Sequence, residues 1–353
     1  MYHLQIFNFI KIKLPLVILT LIIHSAPAIA QIDWYYGRNT FSASGDGHLG
    51  SLDNESAFAR YNLRLSARRL LSNKLSVGVI YGIDEFTVDQ GFFAKDGFLF
   101  LETEWGRIET GWTESIATKM GLTLPDVGGT RINNAPFFLT DDFIGITNPR
   151  IFGNQFAWRA NIATMPTKPV QFGMGRTFWN QTQAGFNNST DIALRFRKPE
   201  GRIKSSISAG FAYVEKPRGF QSDAFLPPVF ADTRYQGTLA GNLQWGSLLL
   251  AVTSKVTIDD NPDVSHSGFR TDGLQVGGGA SYDVLSLSFS ANYIYSSIGI
   301  FGNEIINNHT AIISARYKID KFFSIWTTGG SLFSSQAAIG INPFISGGIT
   351  ARF

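Results

Sequence analysis

The chain of 353 residues is 44% hydrophobic but only 16% charged, and 14% of it is aromatic. That charged fraction lies well below the usual quarter of a soluble enzyme, while a mean hydropathy of +0.02 excludes a helical membrane protein. The lack of cysteine removes a disulfide framework, a thiolate metal site and a cysteine nucleophile together.

At the start, Lys11 and Lys13 precede an apolar run from Leu14 to Ile23, and Ala28-Ile29-Ala30 supplies the small-x-small pattern of a cleavage point. Residues 1–30 therefore read as a secretory signal peptide. The apolar run is too short for the roughly 18–20 residues that a spanning helix needs. Losing these two lysines takes the basic count from 30 to 28 against 27 acids, so the formal charge falls from +3 to +1. A nucleic-acid partner recognised through net charge is excluded.

From residue 31 onward the pattern is alternation. Tyr61, Leu63, Leu65 and Ala67 interleave with Arg60, Asn62, Arg64, Ser66 and Arg68, and a strand sends these two sets to opposite faces. The same period of two recurs in sixteen segments, near residues 32–43, 58–69, 75–84, 97–105, 107–112, 150–164, 169–179, 191–199, 203–215, 235–244, 248–257, 272–283, 286–296, 309–318, 322–333 and 339–353. An even number of such segments predicts an all-β fold: a transmembrane, antiparallel, up-and-down β-barrel of 16 strands. Its connections alternate. Short turns fall at 105–106, 165–168, 200–201, 245–247, 284–285 and 319–321, and long loops at 45–56, 113–149, 216–234 and 258–270. In a meander this puts all the short turns at one rim. Tyr35, Trp105, Trp245, Tyr282, Tyr317 and Phe353 lie beside that rim, where a girdle at the lipid interface is expected.

Sixteen strands spaced about 4.8 Å and tilted about 40° enclose a cylinder roughly 30 Å across, too wide for side chains to fill. The inward set, including Glu102, Glu104, Arg159, Arg195, Arg197, Lys204, Lys255 and Arg316, would be prohibitive in a dry core. A water-filled lumen tolerates it.

Several stretches resemble the general bacterial porins of Gram-negative outer membranes: Tyr36-Gly37-Arg38, the run from Phe98 to Gly106, Arg107 to Gly111, the Leu124-Pro125-Asp126-Val127-Gly128-Gly129 stretch of the third loop, and the terminal Phe353. The resemblance implies a homotrimeric channel in the outer membrane, in contact with lipid and lipopolysaccharide, through which ions and small hydrophilic solutes diffuse passively. It implies that residues 31–353 form the barrel domain and that loop 113–149 folds into the lumen as a constriction. Glu114, Pro125, Asp126, Gly128, Gly129, Asp141 and Asp142 would then line the loop, and Arg38, Arg60, Arg64 and Arg150 would form the basic wall opposite. Phe353 would be the signal read by the outer-membrane insertion machinery.

Other motifs lead elsewhere. Gly45-Asp-Gly47-His-Leu-Gly50 matches a dinucleotide fingerprint in letters, but no helix pattern follows it, so it reads as a flexible loop. Asp259-Asp260-Asn261-Pro262-Asp263 lacks the spacing of a calcium loop and reads as a solvated acidic loop, and no metal or cofactor is expected. The rival functions are a barrel enzyme, a lipase or protease, and a surface adhesin barrel. An enzyme would need His48, His266 or His309 beside a partner such as Ser297 or Asn308. No catalytic residue is assigned.

Overall fold

The computed structural model describes residues 32–52, 56–86, 91–125, 127, 158–177, 189–215, 231–262, 273–300, 304–335 and 341–352. The expected signal segment and Phe353 lie outside them. In chain order the strands are β1 (Ile32–Tyr36), β2 (Asn39–Leu52), β3 (Ser56–Ser72), β4 (Leu75–Phe86), β5 (Gly91–Thr103), β6 (Gly106–Trp112), β7 (Trp158–Thr164), β8 (Val170–Thr177) and β9 (Ser189–Lys198). The second half contributes β10 (Ile203–Glu215), β11 (Ala231–Trp245), β12 (Leu248–Pro262), β13 (Gly273–Val284), β14 (Leu287–Ile300), β15 (Glu304–Lys318), β16 (Phe323–Ser334) and β17 (Ile341–Arg352). One short helix, α1 (Ile116–Met120), follows β6.

Each strand from β2 to β17 pairs antiparallel with its chain neighbours, and β17 closes the ring by pairing Ser346–Arg352 with residues 52–46 of β2. The other half of the same edge of β2, residues 39–43, pairs with β1. Thus β1 and β17 lie end to end in one lane, and the seventeen strands make a closed barrel of sixteen lanes. Closure gives each strand from β2 to β17 a partner on both sides, which is what lets a sheet exist in hydrocarbon.

Three expectations are corrected here. Residues 32–43 are a hairpin rather than one strand, because Gly37 takes a φ of +61°, a conformation open to glycine, and the chain reverses between Tyr36 and Asn39. The expected flexible loop at 45–56 is instead mostly strand. Gly45, Gly47 and Leu49 face outward while Asp46 and His48 face inward, and β3 and β17 satisfy the backbone on both sides. Likewise β12 runs on through Asp259 and Asp260 to Pro262, so that acidic stretch begins as ladder; Asp263 lies outside the described residues.

The outward face carries the apolar side chains, among them Leu99, Ile162, Phe172, Ile207, Val252 and Ile313. Trp105, 79% exposed, stands with Tyr35, Trp245, Tyr282 and Tyr317 at the short-turn rim. Trp158 and Phe211 project outward nearer the other rim. Two aromatic belts flanking an apolar band match the lipid interfaces of an outer-membrane barrel.

Candidate functional site

The inner wall has a seat built from small residues. Ala163 on β7, Gly173 on β8, Ala193 on β9 and Ala212 on β10 all face inward, and α1 packs on them through Ile116, Ala117 and Met120. A Cβ on Gly173 would lie 2.6 Å from Ile116 Cγ2, so glycine there is what admits the helix. Ser115 caps α1, its hydroxyl accepting from the Thr118 amide at 3.1 Å. The Ala117 amide donates to Asp191 Oδ2 on β9 at 3.0 Å.

Asp191 is held from behind by Arg159 on β7, and both side chains are 1% exposed. Arg159 also donates to Thr177 at 2.9 Å and to Ser189 at 3.0 Å. A buried charge needs a partner and further hydrogen bonds, and here the pair fixes the height at which the helix is clasped to the wall.

Beyond Gly121 the chain continues along the wall. Leu124 packs with Ala251 of β12 and Ile294 of β14. Asn292 Nδ2 donates to the Pro125 carbonyl at 2.7 Å, and the Val127 amide donates to Ser290 at 3.2 Å. The described part of the segment after β6 therefore runs inside the barrel across the inner faces of β7 to β14, half the circumference. Across the lumen from this stretch stands the wall of β15–β17 and β2–β6.

That facing wall is charged. Arg68 on β3 donates to Glu102 on β5 at 2.6 Å, and to Ser76 at 2.9 Å. Arg107 on β6 lies 3.9 Å from Glu102 and 3.0 Å from Glu109. Glu109 in turn accepts from Lys119 of α1 and from the Thr113 hydroxyl at 3.3 Å. This chain of ions ties the belt to the wall it leaves. Beneath it is an inward apolar step, Ile80, Phe98 and Phe100. Arg107 lies 4.1 Å above the Phe100 ring and Lys119 4.7 Å above that of Phe98, contacts in the cation–π range. Arg64 sits inward on β3, opposite Ser44 and Gly82 and exposed to the lumen.

The expected site residues divide accordingly. Glu114 and Pro125 are on the belt: the Glu114 carbonyl accepts from Asn161 at 2.9 Å and Pro125 is buried. Arg64 faces the lumen. The backbone of Arg60 pairs with His48 and Phe86 on the same strand. Arg38 does not join them. It lies in the β1–β2 turn at the short-turn rim, exposed, reaching the Leu71 carbonyl at 3.4 Å, because the hairpin at Gly37 takes it out of the wall. Asp126, Gly128, Gly129, Asp141, Asp142 and Arg150 lie outside the described residues. Sequence reasoning missed Glu109, Lys119 and Asp191. The first was legible on the polar face of Arg107-Ile108-Glu109; the others acquire their roles only once the loop is folded in.

Among the candidate catalytic histidines, His48 lies between Asp46 at 2.6 Å and Thr350 at 2.9 Å, but the Thr350 side is 2% exposed and offers no approach to a substrate. His309 meets the Tyr293 hydroxyl at 2.6 Å, beside the lipid-facing tyrosines; His266 is outside the described residues. Among the described residues no group of three metal-ligating side chains occurs.

A family model described as Gram-negative porin matches residues 19–330. No curated protein matches the chain. Among solved structures, Salmonella typhi OmpF in complex with daunomycin is 12% identical, with a TM-score of 0.66 over 91% of this chain and 100% of that one. An anion-selective porin from Comamonas acidovorans is 16% identical, with a TM-score of 0.62 over 89% of this chain and 100% of that one. Outer-membrane-expressed OmpT of Vibrio cholerae is 10% identical, with a TM-score of 0.65 over 91% and 100%. At these identities the likeness is one of fold.

Proposed function

The chain belongs to the Gram-negative porin family, and on that premise we propose how this outer-membrane channel selects its solutes: by the gap between the belt after β6 and the charged wall of β3, β5 and β6. The observation that carries this is the path of residues 113–125 and Val127 across the inner faces of β7 to β14. A belt on one side and cations on the other order the water between them. A polar solute exchanges that water for equivalent contacts, whereas an apolar one must displace it without replacement. Passage is passive and limited by size.

In this reading Glu114, Pro125, Asp126, Gly128, Gly129, Asp141 and Asp142 belong to the belt, and Arg60, Arg64 and Arg150 face it. Arg68 and Arg107 join the basic side, and Arg38 is left at the rim. The constriction is tested at Arg64. Arg64→Ser in planar-bilayer recording is expected to enlarge the conductance step and lower anion preference. If both stay unchanged, Arg64 lies off the solute path.

No step of chemistry is needed, and the protein acts as a channel rather than an enzyme. The buried Thr350 hydroxyl beside His48 supports this; hydrolysis of lipid or peptide by the purified protein would refute it. Residues 1–30 direct export and 31–353 form the barrel. The barrel assembles as a homotrimer among lipid and lipopolysaccharide, and Phe353 is read during insertion. The outward hollow between Phe41, Ala67, Val77, Val79 and Leu99 on the first strands supports an oligomeric contact. Mass measurement in detergent tests it.

A further inference from the structure

Arg68 on β3 and Arg107 on β6 are met by carboxylates, but the cations of another wall are not. On β9 Arg195 and Arg197 occupy successive inward positions, about 6–7 Å apart at the backbone. Arg197 pairs with Ser206 of β10 and Arg195 with Ser208. Lys204 lies one inward step from Ser206, a diagonal neighbour of Arg197 at about 7–8 Å. Three long basic side chains and two hydroxyls thus share one face at the short-turn mouth, just past Ala193, where α1 is seated. Arg197 is steadied by donating to the Pro166 carbonyl at 3.0 Å. The buried Nε of Arg195 has no hydrogen-bond partner among the described residues, and none of the three cations forms an ion pair there. The carboxylate that shares the inner face of β9, Asp191, is committed to Arg159 and to the Ala117 amide.

Like charges set side by side on a sheet are unfavourable, so such a cluster is stabilised by water and by a counter-charge that the described wall does not supply. We infer that Arg195, Arg197 and Lys204 form a binding step for small oxyanions, phosphate- or carboxylate-bearing solutes, at the short-turn mouth beneath the belt. A guanidinium offers a planar fork matched to two oxygens of one anion, and an ammonium adds a point charge. The step rests on the channel reading and deepens it: it lies off the constriction, so it holds an anion without narrowing the passage.

The test is planar-bilayer recording of the full-length protein and its Arg195→Ser/Arg197→Ser/Lys204→Ser variant in a KCl gradient. Three unit charges within a Debye length of ~10 Å near 0.1 M salt should make the anion-to-cation permeability ratio fall about threefold or more in the variant, by Coulomb's law in water. Near 1 M, where the Debye length is ~3 Å, the difference should vanish. Inorganic phosphate added at the short-turn side should reduce chloride current through the wild type and not through the variant. If the triple variant fails to insert, Arg195→Gln and Arg195→Lys decide, the first shifting the ratio and the second retaining it. Conduction by the variant with the wild-type reversal potential and phosphate response overturns the anion step. Absence of any conductance step in the wild type overturns the channel reading instead.

Discussion

Asp191→Ala is the sharpest perturbation of the belt. It leaves the Arg159 guanidinium buried without its carboxylate, at 1% exposure, and strips the Ala117 amide of its acceptor. Removing one partner of a buried pair costs about 3–5 kcal/mol, and the orphaned amide adds about 1–3 kcal/mol. Against this stand the apolar contacts of Ile116, Met120 and Leu124, at about 1.5–3 kcal/mol each when fully buried before the entropy of ordering the segment is subtracted. The two sums are of the same size, so the loss should unseat the belt for part of the time while the sixteen-lane ladder persists. Single-channel recording should then show added open-channel noise and a larger mean conductance, and trypsin should cleave after Lys119 faster than in the wild type. Replacing both partners, Arg159→Met with Asp191→Leu, removes the orphaned charge and should restore a quieter channel. Equal disturbance in the single and double variants, or none in either, would refute the clasp.

Two further outcomes probe other parts of the barrel. Glu109→Gln deprives Lys119 and Arg107 of their shared carboxylate, so the reversal potential should move toward anion preference; a shift toward cations would contradict the ion chain. Val252→Arg puts a charge on the lipid face at a position 63% exposed and near mid-height of β12. It should destabilise the folded barrel by about 2–4 kcal/mol in lipid-vesicle unfolding, whereas no loss there would mean that this face does not meet hydrocarbon.

The sequence by itself determined the barrel, because period-two alternation and the sorting of short and long connections are local signals. Leu287, Phe289 and Ala291 must point one way and Ser288, Ser290 and Asn292 the other whatever the rest of the chain does. The aromatic residues beside the short turns marked the lipid interface by the same logic. Local pattern failed where a neighbour decided. Gly45 to Gly50 reads as a loop by composition, and becomes strand because β3 and β17 supply hydrogen bonds from either side. Ile294, Phe98 and Phe100 break the polar inward rule, and only the folded belt and its cations explain why they can. The placement of Arg38 at the rim, the clasp between Asp191 and a helix 74 positions earlier in the chain, and the unpaired basic step on β9 and β10 all depend on which strands face one another across the lumen. Distance through space sets those energies, and a linear order of residues does not contain it.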